Sequence, residues 1–262
     1  MTATAVYEFR MQIRKRSMWI VLAGTVLLLA ATSRDLVADA LDNPDPQKTM
    51  GQIALLANIM LPAGYGCLLA DRLIRDIRLG VAPILDTTPA HPAGRLLGKY
   101  LGACAAVAVP LAILYFGFAV AYVAVSGRVI GLVWAVAGFA AVMVPALLFV
   151  GAFALAVPLL IPAPLFRVLF VGYWFWGNSI NPAAMPTLAL TLMAPLGGYQ
   201  IQVFFGYQNT VETWAGPVPG AALNFLRPEP TAATASLAIA VLLSLAALVL
   251  TVTHVARTDR KA

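Results

Sequence analysis

Side chains able to do covalent or metal chemistry are sparse in this 262-residue sequence, and their spacing does not gather them. The only histidines are His91 and His254. The only cysteines, Cys67 and Cys104, lie inside apolar segments without CxxC spacing and read as small packing residues. No HExxH or GxSxG string occurs, so neither a metal centre nor a Ser-His nucleophile assembles. Gly94-Arg-Leu-Leu-Gly98-Lys99-Tyr100 looks superficially like a phosphate-binding loop. It is one residue short between the glycines, lacks the Ser or Thr that holds a metal ion, and follows no strand. The chain is expected not to be an enzyme and to hold no metal, cofactor or ATP of its own. The same glycines suit helix packing: Gly94, Gly98, Gly102 and Ala106 recur every four residues and line one helix face with small side chains.

The elements that carry these residues follow from composition. Hydrophobic residues make up 61% and charged residues 11%, against about 45–50% and about 25% in soluble domains. The apolar residues run in blocks near Met18–Thr32, Gln52–Ala70, Leu97–Val125, Val129–Val150, Val168–Met185 and Ala232–Val255. Several match the roughly 20 residues that a membrane-crossing helix needs. The expected fold is an all-α membrane protein with six transmembrane helices. An even number puts both termini on one side, and thirteen of the seventeen basic residues then fall on that side. The other side keeps Arg34, Lys48, Arg128 and Arg227, beside Asp35, Asp39, Asp42 and Asp45. The positive-inside rule makes both termini cytoplasmic. The net charge of +6 is thus a topology signal, and no soluble domain offers a nucleic-acid face.

A basic start and an apolar core also describe a secretory signal peptide. Retention is favoured, because Val6, Phe9 and Ile13 stand at helical spacing within a long basic region, as in an amphipathic interfacial helix over residues 1–17. Residues 18–262 then form the six-helix domain. From Val168 to Val211 no charge occurs. Asn181-Pro182, Pro186, Pro195 and Gly197-Gly198 argue for one crossing followed by a broken or re-entrant region over 178–231, rather than two crossings. The blocks hold no ionised side chain except at their ends, which argues against an ion-coupled carrier.

Between the second and third blocks, residues 71–96 form the largest cytoplasmic loop. Ala70, Leu73, Ile74, Ile77, Val81 and Ile84 share one helical arc, with Arg72, Arg75 and Asp76 opposite. Such a helix fits anionic lipid or a docking partner. The basic N-terminal helix, the six spans, Arg72-Leu-Ile-Arg-Asp-Ile-Arg-Leu-Gly80-Val-Ala-Pro-Ile-Leu85-Asp86-Thr87-Thr88-Pro89 and Arg95-Leu-Leu-Gly98-Lys99 resemble the ABC-2 type permeases of ATP-binding-cassette exporters. In architecture the resemblance covers nearly the whole chain; in sequence it is sharp over about 75–102.

The resemblance implies a transport subunit in a bacterial-type cytoplasmic membrane, paired with a second permease subunit as a homo- or heterodimer. ATP and Mg would be bound by a separate nucleotide-binding ATPase subunit. Arg78, Leu79, Gly80, Val81, Ile84, Leu85 and Asp86 would form the ATPase-coupling surface, supported by Phe9, Ile13 and Arg14. Asn58, Met60 and Tyr65 on the second span, with Tyr173, Trp174, Trp176 and Asn178 on the fifth, would line the substrate path. Apolar walls suit an amphiphilic or hydrophobic cargo, such as a drug, a lipid or a peptide-like molecule, moved outward. The alternatives are a membrane scaffold without transport and a secondary carrier.

Overall fold

The computed structural model describes residues 1–32, 34–70, 72, 92–189, 191–208 and 226–259, and among these its regular structure is all helix, without a strand. In chain order the helices are α1 (Thr2–Ile13), α2 (Arg16–Thr32), α3 (Arg34–Asp42), α4 (Pro46–Leu69), α5 (Pro92–Ser126), α6 (Ile130–Leu159), α7 (Ala163–Ser179), α8 (Gly198–Phe205) and α9 (Pro230–Asp259). Four are long and apolar enough to cross a membrane: α4, α5, α6 and α9. The protein is therefore built as an integral membrane protein. Helices α2 and α3 reach that length only as a pair, bent by 81°. Helix α7 has 17 residues, about 26 Å at the α-helical rise against a hydrocarbon core of about 30 Å.

All six apolar blocks are helical, but their ends differ from expectation. Helix α6 runs nine residues past Val150, through Pro158, because its last turn tightens to a 3₁₀ turn over Val157–Leu159. Helix α7 opens at Ala163 rather than Val168, since Pro162 caps it and Pro164 stands in its first turn, where a missing N–H costs no bond. It ends at Ser179, short of the expected Met185. The acidic segment after the first block, expected as a loop, is helix α3, whose Leu36 and Ala40 carbonyls accept from Gln52 Nε2 and Thr49 Oγ1 of α4.

Helix α4 is the hub. Asp45 caps it by accepting from the Gln47 and Lys48 amides at 3.1 and 3.3 Å, with Pro46 opening the first turn. It packs against α2, α3, α5, α6, α7 and α8. Tyrosines on one face of α5 tie that helix to its neighbours: Tyr100 Oη donates to Leu148 O, Tyr115 Oη to Met50 O and Tyr122 Oη to Asn43 O, at 2.9–3.0 Å.

Three interruptions of regular backbone meet at α4. Pro62 lies within α4 itself and removes one bond of its ladder. Helix α6 widens to a π turn over Phe139–Met143. Residues 180–197 run as turns into the short helix α8, flanked by Gly197 and Gly206 with φ of 87° and 64°, values that favour glycine. Fully buried Asn58 joins them, since its Nδ2 donates to Val142 O in the π turn and to Leu196 O in the irregular segment, both at 3.2 Å. Replacing Asn58 by Ala should cost about 1–2 kcal/mol, read as a lowered unfolding midpoint in detergent. Asn58→Gln should not restore it, because the longer side chain misplaces the donor.

Candidate functional site

Two regions bear on function: a corner where the N-terminal helix meets the end of the bundle, and the contact of α4 with α7.

At the corner, the Val6, Phe9 and Ile13 stripe is not the face by which α1 packs on protein. Val6 is exposed, Phe9 and Ile13 are half-buried and Arg14 is exposed, whereas Glu8 and Gln12 are buried at 6% and 2% exposure. A buried carboxylate needs partners, and Glu8 Oε1 has two: Arg72 Nη1 at 3.2 Å and Gln12 Nε2 at 2.9 Å. Both ionised side chains are more than nine-tenths buried. The Glu8 and Gln12 face of α1 thus faces protein, while Val6 and Tyr7 face outward. Glu8 is the one acid among the first 34 residues, set among Arg10, Arg14, Lys15 and Arg16. That isolation was the available signal for a specific pairing.

The close approach is made by the glycines of α5. A Cβ at Gly98 would sit 2.8 Å from Met1 O and from Thr4 Cβ, and one at Gly102 would run into Ala5 O. Ala106 is fully buried, while Gly94 faces open space. Helix α1 therefore lies along the first turns of α5. The expected coupling residues Arg78, Leu79, Gly80, Val81, Ile84, Leu85 and Asp86 lie outside the described residues.

At the second region, α7 is tied to α4 near the Pro62 interruption. Trp174 is fully buried and its Nε1 donates to Ile59 O at 2.9 Å, while Arg167 Nε donates to Cys67 O at 3.2 Å. Asn178 is 2% exposed, and its Nδ2 donates to Trp174 O at 2.8 Å, leaving Oδ1 without a partner. Met60, Tyr173 and Trp176 are half-buried. Tyr65 is buried with its hydroxyl unpartnered, beside a cavity of about 10 Å³ shared with Asn58 and Met143. That is room for about one water. Asn58 and Trp174 thus act here as ties to backbone carbonyls.

The larger apolar space lies elsewhere and was not foreseen. A cleft of about 530 Å³ between α2, α3, α4 and α5 is walled by residues such as Val26, Leu29, Leu56 and Phe118, with Arg34 the one charged residue lining it among the described residues. A basic residue closing the first apolar block was its only trace in the sequence. Among the described residues, no three His, Cys, Asp or Glu side chains gather as a metal site would need.

Compared with known proteins, the chain matches no family model and no curated relative.

The buried pair offers a direct test. Removing one member of such a pair typically costs about 3–5 kcal/mol, because the other charge stays buried alone. Glu8→Gln should therefore lower thermal stability in detergent sharply and open α1 to protease. The double variant E8Q/R72M, which removes both charges of the pair, should recover much of the loss.

Proposed function

We propose that the chain is the membrane-spanning subunit of an ATP-driven exporter of the ABC-2 type, moving an amphiphilic or hydrophobic molecule outward under the drive of a separate ATPase. The observation that carries this reading is the Glu8–Arg72 pair. It fastens α1 to the root of residues 71–96, while Gly98 and Gly102 fasten α1 to the helix that follows that loop. A load applied to the loop would then reach α1, α4 and α5 together. Rigid-body transmission of this kind is how a docked helix can bias a bundle between two packings.

In this reading all six apolar helices cross, α2 and α7 as short or bent spans, and both termini are cytoplasmic. Support comes from one end of the bundle, where Lys15, Arg72 and Arg167, from three segments assigned to the cytoplasm by charge, line one pocket. The apolar cleft with Arg34 at its edge suits a cargo with a hydrocarbon body and a polar or anionic head. Helix α2, on one wall of that cleft, turns Ile20, Leu27 and Leu28 outward, an apolar face open to lipid or to a second permease subunit.

One observation favours a scaffold without transport: the space beside Asn58 and Tyr65 is closed to about one water. The two readings part in a reconstituted system. The chain should co-purify with a nucleotide-binding subunit encoded beside it, and in proteoliposomes the pair should hydrolyse ATP and move an amphiphile in an ATP-dependent way. Deleting Leu73–Asp86 should leave the chain in the membrane and abolish both partner binding and stimulated hydrolysis. Partner binding without any cargo movement would support the scaffold, and unaltered assembly after the deletion would refute the docking surface.

A further inference from the structure

The cleft of about 530 Å³ takes a wall from each of four helices: Val26 from α2, Val37 from α3, Leu56 from α4 and Phe118 from α5. Among the described residues, Arg34 is its one polar lining side chain, at the 81° bend where α2 gives way to α3. Helix α3 sorts its charges about that cleft. Asp35, Asp39 and Asp42 stand four and three positions apart and so share one face, all exposed, while Val37 lies on the opposite face and lines the cleft. The cation thus stands in the cleft and the three carboxylates stand away from it. Arg34 pairs with no carboxylate among the described residues. The bend also fixes the depth. Helix α3 is amphipathic, as a helix lying at a membrane surface is, and α2 before it exposes Leu27 and Leu28, at 70% and 45%. Arg34 therefore stands at the headgroup level, and the cleft runs from it to Val26, about two helical turns into the hydrocarbon.

We infer that this cleft binds a single-chain amphiphile with a carboxylate head, a long-chain fatty acid, taken from the surrounding membrane. Charge assigns the head: one guanidinium, whose N–H fork matches the two oxygens of a carboxylate, stands at the end of the cleft nearest the surface. The walls assign the tail, since four helices offer it apolar side chains and only Arg34 offers a polar one among the described residues. One cleft with one cation matches one chain with one charge. That this ligand is the cargo rests on the export reading above. Its binding does not, because the cleft is complete within this chain.

The test uses the full chain, purified alone in phosphatidylcholine nanodiscs, with palmitate and hexadecanol as probes of equal chain and different head. Binding is read by titration of radiolabelled probe, corrected for empty nanodiscs. Palmitate should bind saturably, and hexadecanol about tenfold more weakly, for want of one charge-assisted contact. Arg34→Gln should bring palmitate down to the level of hexadecanol and leave hexadecanol unchanged. Arg128→Gln removes the same charge from an exposed position outside the cleft and should change neither. Ala30→Phe, at an exposed lining position, should weaken both probes by filling the cleft. If that variant misfolds, the Arg34 arm decides by itself. Equal binding of the two probes would overturn the inference, and so would a palmitate loss in R128Q as large as that in R34Q. Palmitate bound in the cleft but not moved by the reconstituted pair with ATP would keep the site and remove the cargo assignment. ATP-driven movement of another amphiphile by a chain that does not bind palmitate would keep export and overturn the site.

Discussion

A chain this apolar is constrained above all by its own backbone, because a carbonyl left without a donor in hydrocarbon costs several kcal/mol. Regular helices meet that constraint by themselves. This bundle departs from regularity at Pro62, at the π turn of α6 and across residues 180–197. It brings all three departures against the same helix. The Asn58 amide supplies both of the donors that the two neighbouring irregular segments take from α4. Trp174 does the same for Ile59 O and Arg167 for Cys67 O. The polar side chains within the apolar bulk serve mainly as donors to backbone carbonyls of neighbouring elements, and those bonds tie α4 to α6, α7 and the segment before α8.

The same rule governs the end of the bundle that carries the N-terminus, with charges in place of amides. Helix α5 has 35 residues, about 52 Å at the helical rise and well beyond a core of about 30 Å. Its first turns must therefore find other cover. Helix α1 gives it, lying against the glycine face closely enough that its own backbone meets Gly98 and Gly102. Such closeness leaves little room for water around Glu8, and the Arg72 guanidinium takes water's place. Small residues, a close helix and a buried ion pair are thus one device rather than three.

Much of this was legible in the sequence because it rests on local signals. Each apolar block became a helix, and proline or Asp-Pro marks several starts, at Pro46, Pro92, Pro162 and Pro230. The prolines and glycines after Asn178 gave turns and one short helix, as their chemistry requires. What escaped is set by partners distant along the chain. Periodicity marks the Val6, Phe9 and Ile13 stripe of α1 but not the Glu8 and Gln12 face that packs on protein, because Arg72 lies 64 positions away. The π turn has no sequence signature of its own. Asn58 is recognisable as an amide in an apolar helix, yet its acceptors are 84 and 138 positions away.

This division between local and distant signals also decides how the two candidate regions should be weighed. The amide and aromatic residues of α4 and α7 attract attention in a sequence because polar side chains in hydrocarbon are costly and so tend to serve a purpose. Here the side chains of Asn58 and Trp174 donate to backbone carbonyls, and the space beside Asn58 holds about one water. The cations at the corner are different in kind. Arg72 is paired with Glu8, and Lys15, Arg72 and Arg167 line one space of about 240 Å³. A fold that spends its interior donors on its own carbonyls thus gathers three cations around one opening, at the end that carries the N-terminus.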